Sequence, residues 1–356
     1  MASKALSTKK STALSVPSIN TALATDLKKT FGEDILMSGS SIKEKQTIVI
    51  PLSPSLDMIL NGGVPEGSFV VLTGQPKCGK TVTSLSLAAT ALDPKYQGNL
   101  EKPRHVYYLN IEGRLKKRDI EGIKGLDLNR FTLIGSTQGK ILHAEEYLQI
   151  AERIINQEPG SIVIIDSYSA LCTEAEITSD MNKMQRADGA KLLAKFCRKV
   201  ANVIPVNKNI VIGITHLMGN PTGYGAEFKE KSGQAIAYQT DIKLRAKRFS
   251  PWKVGKEDTQ IGQEVEWQVV TSALGSPGGN IVSHLRYGEG IDKHMELFSL
   301  AVDIGLINKG GAWYTFSSLP DSPKFQGAEK ARDFLVSKPE VYKDLWHQIK
   351  DTMGLK

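Results

Sequence analysis

Residues 70–85 read VVLTGQPKCGKTVTSL, and this stretch decides how the chain folds. An apolar run that begins at Phe69 stops at Gly74, and a helix-like run follows Thr81. The order matches the phosphate-loop pattern G-x-x-x-x-G-K-[ST] in its required context, with a strand before the loop and a helix after it. The glycines let several backbone N–H groups face one anion, and the helix start adds the positive end of its dipole. The sequence therefore predicts a nucleoside triphosphate site.

The loop and one later carboxylate carry the expected chemistry. We expect Lys80 to reach the outer phosphates and to act in catalysis, and the Thr81 hydroxyl to ligate Mg²⁺. Asp166 ends the apolar run IVIID, where a carboxylate would hold the hydration shell of the Mg²⁺ beside Thr81. The predicted nucleotide-binding residues are Gly74, Gln75, Pro76, Lys77, Cys78, Gly79, Lys80, Thr81 and Val82. A thiol in such a loop, close to a helix N-terminus, is also expected to have a lowered pKa and to be protected by nucleotide from alkylation.

Composition limits the class of protein. The 356 residues, 40% hydrophobic and 23% charged, fit a soluble globular protein with one large domain and small flanking pieces. No apolar run approaches the ~20 residues that cross a bilayer, and the N-terminus lacks the apolar core of a secretory signal. The three cysteines form no C-x-x-C motif, which favours a reducing compartment over disulfides or zinc. The net charge of +7 is compatible with a polyanionic partner.

Strand-like and helix-like patterns alternate up to about residue 214. Near-uniform apolar runs separated by helices predict an α/β fold with a mostly parallel sheet covered on both faces. Ligands of such folds bind at the carboxyl ends of the strands, where Glu112, Asp166 and His216 all lie. From Asp241 the pattern changes to strands with turns, which predicts an antiparallel extension. Beyond Gly290 it becomes helical again and predicts a small separate lobe.

Glu112 and His216 each allow two interpretations. A carboxylate at Glu112 is placed to polarise a water in line with a γ-phosphate, but a surface glutamate at a strand end has the same pattern. His216 precedes a glycine-rich stretch and could transmit the state of the γ-phosphate to it. A capped histidine at a strand end is the simpler alternative.

Two stretches are candidates for polyanion contact, residues 178–186 with the helix after them, and residues 217–232. Basic residues neutralise phosphates, and aromatic side chains stack on bases. Two flexible surface loops would have the same composition. The predicted contact residues are Lys183, Arg186, Lys191 and Arg198 in the first stretch and Tyr224, Phe228, Lys229 and Lys231 in the second.

Apolar residues recur at helical spacing near the N-terminus. Leu23, Leu27 and Phe31 lie on one face of a predicted amphipathic helix over residues 19–31. That face would pack either on the core of its own chain or on a neighbouring subunit.

The ordered set of motifs resembles the RecA recombinase family over nearly the whole chain. The N-terminal stretch LATDLKKTFGEDILMSG resembles its polymerisation helix, and IPLSPSLDMILNGGVPEGSFVVLTGQPKCGKT its entry into the phosphate loop. IVIIDSYSALCTEAEI is similar to the second nucleotide motif of the family, and YGEGID and INKGGAWYTF to the end of its core and its C-terminal lobe. His216, where bacterial members carry glutamine, looks like the phage-encoded recombinases of the UvsX type.

This resemblance implies an ATP-dependent recombinase that forms helical filaments on single-stranded DNA and exchanges strands with a homologous duplex. ATP and Mg²⁺ are the implied cofactors, with ATP between neighbouring subunits and Glu112 as the catalytic glutamate. Residues 178–186 and 217–233 map onto the two DNA-binding loops. Gln234 and Tyr238 map onto the subunit interface, together with Leu23, Leu27 and Phe31.

The resemblance also implies a domain division, partners and a location. The implied domains are residues 1–47 with the tail and polymerisation helix, 48–293 with the ATPase core and both loops, and 294–356 with the small C-terminal lobe. The implied partners are single-stranded and homologous double-stranded DNA, further copies of the chain, and single-strand-binding and loader proteins, with no membrane. We expect the cytoplasm of a bacterial or phage-infected cell.

Several positions depart from the family pattern. Bacterial members carry two lysines after a Val-Val pair that reach the ATP of the neighbouring subunit, but Val269-Val270 is followed here by Thr-Ser-Ala. Because a cation supplied in trans is worth ~10³–10⁵ in rate, either another cation substitutes or hydrolysis is slow. Residues 113–119 lack the aspartate and tyrosine that clamp adenine, and Asn110 replaces an aspartate. The candidate substitutes are Lys243, Arg245, Lys247, Arg248 and Lys253.

Two alternative functions therefore stay open. The chain could be a RecA-like coating or mediator protein with weak ATPase activity, as the missing lysines suggest. It could also be a ring-forming helicase with the same core fold. DNA-stimulated ATPase with joint-molecule formation separates the recombinase from the first alternative, and micrographs of filaments or rings separate it from the second.

Overall fold

The apolar runs of the sequence form strands, and the segments between them form helices, in a computed structural model of the chain. The structure describes residues 21–37, 39–40, 47–180, 188–219, 228–230, 236, 239–255 and 257–355. The helices within these ranges are α1 Thr21–Phe31, α2 Pro54–Leu60, α3 Lys80–Ala91, α4 Lys117–Glu121, α5 Ala144–Gln157, α6 Glu174–Thr178, α7 Asp188–Val200, α8 Val203–Val206, α9 Lys293–Asp303, α10 Ala328–Ser337 and α11 Pro339–Met353.

The strands pair into one large sheet and two small ones. They are β1 Val49–Ile50, β2 Val64–Pro65, β3 Phe69–Gly74, β4 Val106–Asn110, β5 Phe131–Ile134, β6 Ile162–Asp166, β7 Ile210–Gly219, β8 Phe228–Glu230, β9 Ile242–Val254, β10 Thr259–Thr271, β11 Asn280–Arg286, β12 Gly290–Ile291, β13 Asn308–Gly310, β14 Trp313–Thr315 and β15 Lys324–Gln326. The large sheet has the order β12-β11-β10-β9-β3-β7-β6-β4-β5, and β8 pairs with β7.

The large sheet is parallel at one end and antiparallel at the other. Strands β9, β3, β7, β6, β4 and β5 run parallel, and β10, β11 and β12 continue from β9 as antiparallel neighbours. The predicted α/β fold with a mostly parallel sheet and an antiparallel extension is confirmed. The β9–β10 pair is longer than the pattern indicates, with 13 residues in each strand.

Both faces of the sheet are covered by helices. Successive residues of a strand point to opposite sides of the sheet, so each strand supplies side chains to both of the apolar clusters. On one face, Val70 and Leu72 of β3 pack in a cluster with Leu85 of α3. On the other face, Val71 packs in a second cluster with Phe196 of α7. The run FVVLTG is therefore apolar throughout, and all six of its residues are buried.

A third apolar cluster lies in the C-terminal segment. It joins Phe298 of α9, Leu335 of α10 and Ile349 of α11, and Trp252 of β9 also belongs to it. The turn-rich segment GGAWYTF of the sequence forms part of a small hairpin, β13 with β14, to which β15 adds a third strand. Contact through Trp252 means that the C-terminal lobe packs on the long β9–β10 arm.

The chain divides into two compact units, residues 1–47 and 48–356. In the first unit, α1 carries no buried residue, and the side chains of Leu23 and Phe31 are 52% and 66% exposed. Leu27 is half-buried. The amphipathic helix predicted over residues 19–31 is thus observed from Thr21 onward, and residues 19 and 20 lie outside the described part. Over the described residues, every helix is too short or too polar to span a bilayer.

Arg104 and Glu66 form a buried ion pair, and Arg104 also connects several loop segments of the chain. Arg104 is fully buried, and its guanidinium donates to Glu66 Oε2 at 2.6 Å and to the carbonyl oxygens of Tyr96, Gly160 and Lys208 at 3.0–3.2 Å. Burial lowers the pKa of Arg104, and the hydrogen bond to Glu66 opposes that shift. Removal of the Arg104 cation would take from the buried Glu66 carboxylate its shortest ion pair and leave Lys208, 3.6 Å from Oε1, as the remaining cation.

We therefore expect Arg104→Ala to lower the free energy of unfolding by about 3–5 kcal/mol, measured by urea denaturation. The control is Lys117→Ala, which removes the exposed pair between Lys117 and Glu121 at 3.4 Å. Exposed pairs contribute little, so this variant should unfold close to the wild-type midpoint. Equal urea midpoints for both variants would show that the buried Arg104 ion pair stabilises the fold no more than the exposed pair does.

Candidate functional site

The carboxyl ends of four parallel strands meet at a cleft of about 990 Å³. The register pairs Gly74 of β3 with His216 of β7, and Asn110 of β4 with Asp166 of β6. Parallel strands in register end at one edge of the sheet, so the polar residues that terminate them converge. Lys80, Thr81, Asn110, Glu112, Asp166 and His216 all line this cleft.

The phosphate loop curls tightly between β3 and α3. Gly79 has φ of 86°, which is strained for any residue with a Cβ, and a Cβ here would also meet Leu285 Cδ1 at 2.2 Å, so the position favours glycine. Lys80 is the first residue of α3, and its ammonium donates to the carbonyl oxygens of Gly74 at 3.1 Å and Gln75 at 2.7 Å. The ammonium therefore lies within the loop, at the helix N-terminus where an anion is stabilised.

Cys78 does not have the lowered pKa expected from its position. Its side chain is fully buried, and burial raises the pKa of the thiol, although the Lys80 ammonium 3.6 Å away opposes the shift. The helix N-terminus favours the thiolate, but desolvation of the buried thiolate outweighs that effect. Protection of Cys78 from alkylation by nucleotide stays a prediction, and burial of the neutral thiol implies a slow reaction without nucleotide as well.

Asp166 binds two hydroxyl groups through one carboxylate oxygen. Thr81 Oγ1 donates to Asp166 Oδ2 at 2.8 Å, and Tyr108 Oη donates to the same oxygen at 2.5 Å. Burial raises the pKa of Asp166, and the two donated hydrogen bonds oppose that shift. A hydroxyl beside a carboxylate at the end of the phosphate loop fits Mg²⁺, which prefers oxygen ligands and is held by one or two carboxylates plus substrate phosphates.

Glu112 is held as a carboxylate by its neighbours. His216 Nε2 lies 2.7 Å from Glu112 Oε1, the Ser167 hydroxyl donates to the same oxygen at 2.7 Å, and Arg114 lies 3.9 Å from Oε2. The hydrogen bond from His216 is the main cause that lowers the pKa of Glu112 from 4.5 to about 2, against the opposing effect of burial. Glu112 is thus a hydrogen-bond acceptor at neutral pH, which is the state needed to orient a water.

The outer wall of the cleft is basic. Lys77, Arg114, Lys116 and Arg118 line it, and Asp119 is the only carboxylate among residues 113–119. The Asp119 carboxylate accepts from the Lys116 backbone N–H at 2.9 Å, at the start of α4. Residues 113–119 contain neither of the residues that the resemblance implies for adenine binding, and three cationic side chains of this segment line the cleft.

The predicted DNA-contact residues are only partly within the described structure. Lys191 and Arg198 lie exposed on α7. Phe228 and Lys229 belong to β8, which pairs antiparallel with residues 217–219 of β7. The predicted contacts Lys183, Arg186, Tyr224 and Lys231 and the predicted interface residues Gln234 and Tyr238 lie outside the described residues.

The candidate cations for action in trans differ in exposure. Lys243 is buried in β9, where its backbone is in register with Val71. Lys247 and Arg248 are exposed, and the register shift between Ala246 and Arg248 makes Lys247 the extra residue of a β-bulge. The exposed Lys247 and Arg248 are accessible from outside the chain, whereas the buried Lys243 is not.

Two residues of the site were not anticipated from the sequence. Ser167 directly follows Asp166 at the end of β6, and Tyr108 precedes Asn110 by two residues in β4. The period of two along a strand places Tyr108 and Asn110 on the same face. That spacing was the available signal, and the sequence analysis assigned no role to Tyr108.

Comparison with known proteins assigns the chain to a family. The model of the RecA N-terminal domain matches residues 18–292, and that of the RecA C-terminal domain matches residues 295–354. The chain belongs to the RecA family. Members of this family are DNA-dependent ATPases that act in homologous pairing and repair, and the chain is an enzyme of that class. Membership further implies DNA binding and homo-oligomeric assembly.

RecA proteins from several bacteria are similar over most of this chain. Protein RecA, chromosomal, of Lactococcus lactis subsp. lactis (strain IL1403) is 30% identical over 334 residues, which cover 92% of this chain and 82% of that protein. Protein RecA of Streptococcus gordonii is 27% identical over 341 residues, 93% of this chain and 83% of that protein. Protein RecA of Thermotoga sp. (strain RQ2) is 27% identical over 335 residues, which cover 92% of this chain and 90% of that protein.

The Glu112–His216 contact predicts a pH effect. Because the folded-state pKa of Glu112 is depressed, its contribution to stability is present above the ordinary pKa of 4.5 and is lost as the pH falls towards 2. In His216→Ala the main cause of the depression is gone, so the pKa of Glu112 should rise. We expect the acid limb of the ATPase pH profile to move to higher pH, measured as kcat against pH.

The control for this experiment is His143→Ala. His143 contacts Glu145 at 2.9 Å and Glu146 at 3.3 Å, at the start of α5 and away from the lining of the cleft. Its acid limb should stay in place. An unmoved acid limb in His216→Ala would show that this histidine does not set the pKa of Glu112.

Proposed function

We propose that the chain binds ATP and Mg²⁺ in this cleft and uses hydrolysis to control a recombinase filament on single-stranded DNA. The observation that supports this most strongly is the convergence of Lys80, Thr81, Asp166 and Glu112 on one cleft, with His216 in contact with Glu112 and located on a strand that continues into the second candidate DNA loop. This arrangement links the state of a γ-phosphate to a DNA-contacting segment.

The residues of the cleft divide the chemistry among them. Backbone N–H groups of the loop and the Lys80 ammonium would hold the phosphates. The Thr81 hydroxyl and Asp166 would hold Mg²⁺, which would neutralise charge on the transferred phosphoryl group. Glu112 accepts a hydrogen bond from the attacking water and aligns it. Glu112 need not be a strong base towards this water, since positioning and electrostatic stabilisation supply most of the catalysis in this class of reaction.

The coupling to DNA runs through β7. His216 contacts Glu112 in the cleft. Residues 217–219 follow His216 in β7 and pair with Phe228–Glu230 of the neighbouring strand β8. His216 and residues 217–219 belong to one strand, so a displacement of the His216 backbone would also move the backbone that is paired with β8. We therefore assign His216 as the residue that reports the γ-phosphate to the second loop, with Lys229 as a candidate DNA contact there.

The remaining assignments follow the same proposal. Residues 1–47 serve assembly through the exposed apolar residues of α1, residues 48–293 are the ATPase core, and residues 294–356 are a separate lobe. Lys191 and Arg198 extend the first DNA contact along α7. Single-strand-binding and loader proteins are proposed partners, and His216 is the feature that favours a phage-encoded type.

One observation favours a second candidate function. The Val269-Val270 pair is followed by Thr271 rather than by the lysines of bacterial members, so a DNA-coating or mediator protein with weak ATPase stays an alternative. A bulged cation at Lys247 offers a replacement for those lysines, and this supports the recombinase over the alternative.

The test of function is strand exchange between a circular single strand and a homologous duplex, with ATP and with a non-hydrolysable analogue. We expect joint molecules with both nucleotides, DNA-stimulated phosphate release with ATP only, and filaments in micrographs. Lys80→Ala should abolish phosphate release, and Lys102→Ala, in an exposed loop, should not. DNA coating without joint molecules would support the mediator, and closed rings would support a helicase.

Lys247 should act on the ATP of a neighbouring subunit. Lys247→Ala is expected to lower DNA-stimulated kcat by ~10³-fold or more if the residue stabilises the transferring phosphoryl group. The control is Lys102→Ala, in an exposed loop and outside the set of candidate cations. This control should keep wild-type turnover.

Mixing variants tests the trans geometry directly. A Lys247→Ala protomer keeps its own phosphate loop, and a Lys80→Ala protomer keeps Lys247. Mixed filaments of two inactive variants should therefore regain ATPase activity at the interfaces that combine both intact halves. Wild-type turnover of Lys247→Ala alone, or no recovery on mixing, would reject this role for Lys247.

A further inference from the structure

We propose that Tyr108 is a positioning residue of the Mg²⁺ site, whose buried hydroxyl fixes Asp166 in the orientation that holds the Thr81 hydroxyl. The inference rests on the proposed function of the cleft as an ATP and Mg²⁺ site. It concerns a residue of this chain that no motif of the phosphate loop includes.

The contacts form a chain of three side chains. Tyr108 Oη donates to Asp166 Oδ2 at 2.5 Å, and Thr81 Oγ1 donates to the same oxygen at 2.8 Å. Tyr108 is 1% exposed, and Asp166 is 9% exposed. Hydrogen bonds to a carboxylate are among the stronger ones, and a buried pair cannot exchange its partner for water at no cost.

The register of the sheet explains why a long aromatic side chain reaches this carboxylate. Tyr108 of β4 is paired with Ile164 of β6, and Asn110 is paired with Asp166. Tyr108 and Asp166 are therefore diagonal neighbours on one face, at a separation that aromatic side chains can bridge. A phenylalanine would fill the same space but would present no donor to Oδ2.

Packing holds the ring in place. The ring centroids of Tyr108 and Phe131 of β5 lie 6.0 Å apart, and Tyr108 belongs to the apolar cluster on this face of the sheet. A ring that is locked by its neighbours presents its hydroxyl in one direction. Asp166 is thereby held towards Thr81, whose oxygen is the proposed metal ligand. Partners behind a metal ligand typically contribute 10–100-fold in metal affinity.

The adjacent residue offers a matched control. Tyr107 lies on the same strand, so its side chain points to the opposite face, where its ring lies 4.7 Å from that of His105. Tyr107 is half-buried and does not line the cleft. Tyr107→Phe and Tyr108→Phe thus remove the same hydroxyl from neighbouring positions, and both keep the volume of the ring.

The experiment measures binding of a fluorescent ATP analogue as a function of Mg²⁺ concentration, together with binding in EDTA and urea unfolding. We expect Tyr108→Phe to raise the half-saturating Mg²⁺ concentration by ~10–100-fold, with binding in EDTA unchanged. Tyr107→Phe should follow the wild-type curve. The urea midpoints verify that both variants are folded before the titrations are compared.

The double variant with Asp166→Asn tests whether Tyr108 acts on Mg²⁺ binding through Asp166. In Asp166→Asn protein, addition of Tyr108→Phe should produce no further change in Mg²⁺ dependence, because the group on which Tyr108 acts is already altered. A further loss there would overturn the proposal. An unchanged Mg²⁺ curve in Tyr108→Phe alone, or an equal loss of binding in EDTA, would also overturn it.

These outcomes are distinct from a failure of the proposed function. If wild-type protein binds the nucleotide no better with Mg²⁺ than in EDTA, the assignment of the cleft itself fails. If wild-type binding depends on Mg²⁺ and Tyr108→Phe behaves like Tyr107→Phe, only the role of Tyr108 fails.

Discussion

The parallel register of β3, β7, β6 and β4 is the constraint on which the site depends. It places the ends of four strands at one edge of the sheet, with Gly74 opposite His216 and Asn110 opposite Asp166. A shift by one residue in any pair would turn every side chain of that strand to the other face. The apolar clusters on both faces prevent such a shift, because it would expose apolar side chains. Packing of the core therefore fixes the positions of the polar residues at the cleft.

Two carboxylates at this edge are held in different electrostatic environments. Burial raises the pKa of Asp166, whereas hydrogen bonds from His216 and Ser167 lower that of Glu112. Divergent environments assign different tasks to groups of the same type. Asp166 has its charge compensated by hydroxyl donors beside the phosphate loop, and Glu112 remains an acceptor next to the strand that leads away from the cleft.

Much of the fold followed from patterns that are local in sequence. The alternation of strands and helices up to about residue 214 and the antiparallel extension after Asp241 were predicted and are observed, because the period of apolar residues marks each element locally. The full length of β9, 13 residues, did not follow from the apolar pattern, because residues 248–251 are exposed and are held by pairing with β10. Cys78 was misjudged because its burial depends on residues far away in sequence, such as Ala246 and Val265 in the same cluster.

The sequence by itself determined the phosphate loop, the strand that ends in Asp166, the alternation of strands and helices and the family, because each is written in residues close together along the chain. The tertiary structure alone decided that Tyr108 reaches Asp166, that His216 contacts Glu112 and that Lys243 is buried while Lys247 is exposed. Those relations join residues up to 104 positions apart. They depend on strand order, register and burial, and no local pattern encodes which strand will lie beside which.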